Sequence, residues 1–193
     1  VSMQRFPTGL VGGNGGGFGG VWTDLGGPHE VTYYGFYFKT DPNYEQHPVL
    51  TKLAWFQVPT NSILVVMTGQ SSFNITLGWQ WPDADADNSH LGFVGSGFIY
   101  GTQSFQRGQW ILVEVLYKPS TTKTSQDGVF KSWVNGVYNG GTTALNTPDW
   151  YASGRLKTWY ASNLTVWGGV GSTKTRDSNL YWDHWRIAVG NSL

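Results

Sequence analysis

The chain has 193 residues, with 12 Lys and Arg balanced by 12 Asp and Glu, and no cysteine. A formal charge of zero and a charged fraction of 12%, about half the ~25% usual in globular proteins, exclude the basic footprint of a nucleic-acid binder or a polybasic membrane binder. No apolar run reaches the roughly 18 residues of a membrane-spanning helix, so membrane insertion is not expected either, and a disulfide framework is absent. Aromatic residues make up 16% of the chain, which argues against disorder. Gly, Ser, Thr and Asn supply most of the polarity, a pattern that fits an extracellular, secreted or virion or cell-surface protein.

Residues 1–20 end in GLVGGNGGGFGG and read as a Gly-rich arm or linker. No Gly-Lys-Ser/Thr follows, so a phosphate-cradling loop has no support. Such an arm can also pack on a second copy, which makes self-association one expectation. Residues 21–193 read as a single β-sandwich domain. Strand 31–40 alternates, with Thr32, Tyr34, Phe36 and Phe38 on one face and Tyr33, Gly35, Tyr37 and Lys39 on the other. Strands follow at 50–58, 63–67, 73–81 and 92–100. On 73–81, Trp79 and Trp81 share a face opposite Gln80.

The loop after Trp81 carries Asp83, Asp85 and Asp87. Carboxylates at alternate loop positions can converge on a hard cation, so Ca²⁺ is the expected metal. The loop lacks the glycine and closing glutamate of an EF-hand, and a solvated acidic turn is the plainer alternative. His29, His47, His90 and His184 show no zinc-type spacing. Asn74-Ile75-Thr76 and Asn163-Leu164-Thr165 match the glycosylation sequon, both in strand-like context.

Residues 110–118 form an apolar strand with one carboxylate, Glu114, at its middle. A second strand, 129–137, opens at Asp127-Gly128 and closes at Asn135-Gly136, the strongest short turn signals. Trp150 and Tyr151 follow Thr147-Pro148-Asp149 and read as loop aromatics. Strands 163–167 and 181–189 end the chain. Strict alternation in the last places Tyr181, Asp183, Trp185 and Ile187 on one face, and Trp182, His184, Arg186 and Ala188 on the other. About ten short strands with turn residues between them are a sandwich signature.

The Gly108-Gln109-Trp110 entry, Glu114, the Asp127-to-Gly136 hairpin around Trp133, and the block Tyr181 to Arg186 together resemble the concanavalin A-like (laminin-G-like) jelly rolls, which include the polysaccharide-lyase-like sandwiches. The resemblance implies an all-β fold, a concanavalin A-like jelly-roll sandwich of two antiparallel sheets, and a polysaccharide or other glycan as partner. Fold alone does not fix the chemistry.

Three functions compete. The E-x-D-x-x-E strand of sandwich glycoside hydrolases is missing, because Glu114 has no second carboxylate two or four residues on. A lyase needs a Tyr or His to take the proton α to a uronic carboxylate, and a cation to neutralise that carboxylate. Tyr37, Lys52, His184 and Arg186 are the candidates, with Tyr33, Lys39 and Gln80 beside them. Against a polyanion groove stands the segment 63–81, which holds no Lys or Arg. Aromatics offer flat faces for sugars, and Trp79, Trp81, Trp150, Tyr151 and Trp182, with Glu114 for hydroxyls, form the expected contact set. Large aromatics also fill sandwich cores, and a lone mid-strand Glu is commonly held by a cross-strand Lys, Arg or Tyr. The leading expectation is therefore non-catalytic polysaccharide binding. The alternatives are a polysaccharide lyase acting by β-elimination on a uronic-acid polymer, and a structural subunit of a virion, filament or cell surface. A cleft where Tyr, His and Arg converge would mark the lyase. Coplanar exposed Trp without that convergence would mark the binder.

Overall fold

The computed structural model describes residues 1–12, 22–58, 61–80, 97–122, 125–145, 158–162, 166–168 and 171–190. Every regular element among them is a strand. In chain order these are β1 (Ser2–Phe6), β2 (Trp22–His29), β3 (Val31–Thr40), β4 (Thr51–Val58), β5 (Asn61–Thr68), β6 (Phe73–Gln80), β7 (Gly97–Ile99), β8 (Ser104–Phe105), β9 (Ile111–Lys118), β10 (Gly128–Val134), β11 (Val137–Leu145), β12 (Thr158–Ser162), β13 (Val166–Trp167) and β14 (Ser178–Gly190). One sheet has the order β1-β14-β3-β9-β10-β11. The other runs β2-β12-β4-β5-β6-β7, with β13 beside β4 and β8 beside β6. The pairings are antiparallel.

Period-two burial explains the layering. Along β9, Ile111, Val113, Val115 and Tyr117 are buried, while Leu112, Glu114, Leu116 and Lys118 are only partly covered. β10 repeats the pattern. The inward residues of both sheets form one cluster that includes Phe36, Phe38, Phe73, Phe105, Trp167 and Trp182. Sheets packed face to face lie about 10 Å apart, a gap that aromatic rings fill. Asn139 links the layers: it is fully buried on β11, and its Nδ2 donates to the Ile75 carbonyl of β6 at 2.9 Å.

The β10–β11 hairpin turns at Asn135 and Gly136, with φ of 51° and 77°. Both central residues in the left-handed region match the right-handed twist of the strands. Asn135 Oδ1 also accepts from the Leu112 N–H at 2.9 Å, which ties the turn to β9.

Two sequence expectations are revised. Ser2–Phe6, inside the stretch read as an arm or linker, is an edge strand paired with β14, and Phe6 is fully buried in the core. Residues 13–20 of the glycine run lie outside the described residues. In β14 the strict alternation fails between Asp183 and Arg186, where the register with β3 shifts. His184 takes φ 49° there. One extra residue reverses which side later residues face. Trp185 and Ile187 therefore join Trp182 against the core, and Arg186 joins Tyr181 and Asp183 on the outer face.

Candidate functional site

The outer face of the six-stranded sheet is built in cross-strand rows. Tyr181 of β14 lies opposite Lys39 of β3. Next come Asp183, Tyr37 and Leu112, then Arg186, Gly35, Glu114 and Trp133, then Ala188, Tyr33, Leu116 and Lys131. Gly35 leaves a gap in the third row, and the Tyr33 phenol folds into it: a Cβ added at residue 35 would sit 3.3 Å from the Tyr33 hydroxyl. That hydroxyl donates to Glu114 Oε1.

Tyr37, Trp110, Asp183, His184 and Arg186 line a cleft of about 350 Å³ on this face. The bulge turns the His184 ring toward Tyr37, with centroids 6.0 Å apart and planes nearly perpendicular. His184 Nδ1 lies 3.2 Å from Asp183 Oδ2, and Asp183 Oδ1 accepts the His184 backbone N–H at 2.9 Å. A carboxylate on Nδ1 fixes the tautomer and leaves Nε2 to accept a proton. A second opening, of about 450 Å³, lies behind the bulge between the sheets and shares Asp183 and His184 with the cleft.

The charges on this face are partnered unequally. Glu114 is held by Tyr33, and Asp183 by His184. Asp41, beside them, accepts from the Tyr181 hydroxyl at 3.0 Å and the Asn179 N–H at 2.7 Å. No carboxylate among the described residues lies within ion-pair distance of Arg186 or Lys39. Lys39 Nζ sits over two rings, 5.2 Å from the centroid of Trp110 and 5.1 Å from that of Tyr181. Burial, the hydrogen bond to Glu114 and the Glu114 charge push the Tyr33 phenol up to about 12, with the Arg186 charge pulling the other way. Tyr33 thus stays protonated at neutral pH and can donate a proton.

Other expected site residues fall elsewhere. Lys52 is on β4 of the eight-stranded sheet, its ammonium 4.8 Å from the Trp55 ring centroid and its pKa lowered by burial. It is not part of the cleft. Trp182 is 2% exposed and packs on Phe36, Phe38 and Trp185, so the core absorbs it. Trp79 stands on β6 of the eight-stranded sheet, its side chain outside the description. Trp81, Asp83, Asp85, Asp87, Trp150 and Tyr151 lie outside the described residues. Thr76 of the first sequon is buried, and Asn74 donates to the Gln103 carbonyl at 3.3 Å. Asn163 is outside the described residues. Sequence reasoning did not single out Trp110 or Asp183 as site residues. The signal for Trp110 was its place opposite Lys39, one residue before β9.

The segment 63–81, read as evidence against a polyanion groove, contributes β5 and β6 to the other sheet. Its lack of cations therefore says nothing about this face, which carries Lys39, Lys131 and Arg186.

No family model matches the chain, and no curated protein does. Solved structures do. An alginate lyase in complex with an alginate trisaccharide matches with TM-score 0.68 at 14% identity, covering 97% of this chain and 80% of that one. The alginate lyase of Aplysia kurodai gives 0.69 at 12% identity, covering 97% and 82%. The endo-β-1,4-glucuronan lyase of the fungus Trichoderma reesei gives 0.62 at 14%, covering 97% and 79%. These likenesses overturn the expectation of a non-catalytic glycan-binding module, because the neighbours that share the fold are lyases. Tyr37, His184 and Arg186 converge in the cleft. The chain has a concanavalin A-like jelly-roll fold of two antiparallel sheets, similar to that of polysaccharide lyases.

Proposed function

We propose that the protein is a polysaccharide lyase that cleaves a uronic-acid polymer by β-elimination. The observation that carries this reading is the convergence of Tyr37, His184 and Arg186 on one cleft, with the Arg186 guanidinium unpaired among the described residues. An unpaired cation in a cleft is a ready partner for a carboxylate. Arg186 would neutralise the uronate carboxylate and so acidify the proton on the adjacent carbon, C5. His184, its tautomer fixed by Asp183, would take that proton through Nε2. The electron pair left on C5 forms the C4–C5 double bond as the C4–O4 bond breaks. Tyr37 would give its proton to the departing O4. Tyr33, held protonated by Glu114, would lie beside Arg186 as a second donor. A polymeric substrate fits a protein that works outside the cell or at a surface.

The test is incubation with alginate, glucuronan, other uronic-acid polymers and neutral glucans, following the ultraviolet absorbance of unsaturated sugar ends. The expected result is a rise on at least one acidic polymer and none on the neutral ones, lost in Arg186→Gln. A flat trace on every acidic polymer would overturn the proposal.

A further inference from the structure

We infer that Asn135 is a site of spontaneous covalent modification: the folded chain converts it, and not Asn139, through a succinimide to aspartate and isoaspartate. The inference is independent of the lyase reading. An Asn followed by Gly is open to attack on its side-chain amide by the next backbone nitrogen, because glycine has no Cβ to obstruct the approach. The sequence holds this pair at Asn14, Asn135 and Asn139. Asn14 lies outside the described residues. The other two belong to one hairpin, and the structure gives them opposite settings.

Asn139 is fully buried. Its Nδ2 donates to the Ile75 carbonyl at 2.9 Å and to Ser132 Oγ at 3.0 Å, and its Oδ1 accepts from the Gln103 N–H at 3.0 Å. Gly140 after it is paired with Ser132 in the ladder. Its amide can react only through a local opening that breaks the link between the two sheets. Asn135 is exposed at the hairpin tip. Gly136 lies between the paired residues Val134 and Val137, so the ladder does not use its N–H. A Cβ built on Gly136 would meet nothing within 4 Å, so the turn is uncrowded. The Leu112 N–H, 2.9 Å from Asn135 Oδ1, is aimed at the oxygen that becomes negative when the side-chain carbonyl is attacked. Asn135 Nδ2 has no hydrogen-bond partner among the described residues and can depart into water.

Hydroxide takes the Gly136 amide proton, and the nitrogen pair attacks Asn135 Cγ. The new N–Cγ bond forms as the Cγ–Nδ2 bond breaks, and Nδ2 takes a proton from water and leaves as ammonia. Water then opens the five-membered ring. Opening at Cγ gives aspartate. Opening at the Asn135 main-chain carbonyl gives isoaspartate, whose main chain runs through Cγ and is one methylene longer. The products differ in effect. Aspartate keeps a side-chain acceptor for the Leu112 N–H. Isoaspartate lengthens a two-residue turn and leaves its carboxylate directly on Cα, which unties the β10–β11 turn from β9.

The experiment holds the wild type, Asn135→Asp and Asn135→Gln in mildly alkaline buffer for days, and the wild type also in urea. Peptide mass spectrometry with isoaspartyl methyltransferase labelling maps the products, and melting temperatures follow the fold. In the folded wild type Asn135 is expected to convert roughly tenfold or more faster than Asn139, which must open first. In urea the two should convert at similar rates. The aged wild type should melt below Asn135→Asp, which carries only the harmless product, and aged Asn135→Gln should keep its starting melting temperature. Equal conversion of Asn135 and Asn139 in the folded protein overturns the inference, as does an Asn135 that converts in urea but not in the fold. An aged wild type that melts with Asn135→Asp overturns the effect on the turn.

Discussion

The Tyr33 hydroxyl donates to Glu114 across the β3–β9 pair, passing over the bare backbone of Gly35. Partial burial, and after it this bond, raise the phenol to about 12. A tyrosine whose folded pKa exceeds its unfolded value near 10 contributes stability that is complete below pH 10. That contribution is lost as pH rises through 12. Ultraviolet difference titration of the wild type should show a late-titrating tyrosine that moves down in Glu114→Gln, though not fully to 10, since burial remains. An unchanged titration would show that Glu114 does not hold Tyr33.

Gly35 admits the Tyr33 ring because it has no side chain. Gly35→Ala places a methyl 3.3 Å from the hydroxyl and 3.6 Å from the ring, so the phenol must move. Its backbone is ordinary strand, and stability should change little. Activity should fall about ten- to a hundredfold, the cost of displacing a proton donor by a fraction of an ångström or more. Comparison of kcat/KM with the urea midpoint checks this, and equal activity would show that Tyr33 is not needed.

Arg186→Gln should lower kcat/KM for an acidic polymer by about 10²–10³, the usual effect of removing a group that stabilises developing charge. Arg186→Lys should recover part of it, because the charge stays and the planar fork is lost. The guanidinium is exposed and unpaired among the described residues, so neither variant should shift the melting temperature appreciably.

His184 holds φ 49°, which costs a non-glycine residue about 1–2 kcal/mol. Both His184→Ala and His184→Gly remove the imidazole and should abolish cleavage. Their stabilities should differ. Glycine relieves the backbone strain and returns about 0.4–1 kcal/mol of it through its freer unfolded chain. His184→Gly should thus be the more stable by a margin of about 0.5–1 kcal/mol in urea. The reverse order would mean the left-handed conformation is absent in solution.

Lys174 is fully buried between the rings of Tyr44 and Trp167, donates to the Glu45 carbonyl at 2.9 Å and lies 3.8 Å from the Glu45 carboxylate. Burial lowers its pKa from 10.5 to about 8, against the upward pull of Glu45. A lysine with a depressed folded pKa penalises the fold fully below pH 8. The penalty lifts as pH rises from 8 to 10.5. Lys174→Met should therefore compare best with the wild type at neutral pH and lose ground over that window. Paired melting curves at pH 7 and pH 10 measure it.

Much of this was legible in the chain. Alternation in 31–40 assigned Tyr33, Gly35, Tyr37 and Lys39 to one face correctly, because period-two burial holds wherever a strand is regular. The Asn135-Gly136 turn was legible for the same local reason. The bulge at His184 was not, since one inserted residue leaves hydrophobicity nearly unchanged while reversing every later assignment. Nor could composition show which sheet a strand joins, so the uncharged segment 63–81 was weighed against a face it does not form. The pairing of β1 with β14 spans most of the chain and has no local signal at all.

The extra residue at the bulge also sets what length changes β14 can accept. Deleting His184 restores regular pairing with β3: Trp185 then lies opposite Phe36 and still faces the core, and Arg186 stays opposite Gly35 on the outer face, so the strand loses the imidazole and keeps its sides. A one-residue deletion in a regular stretch of the strand, by contrast, exchanges inside for outside for every residue beyond it. β14 should therefore tolerate the loss of one residue at the bulge far better than the loss of one anywhere else along it.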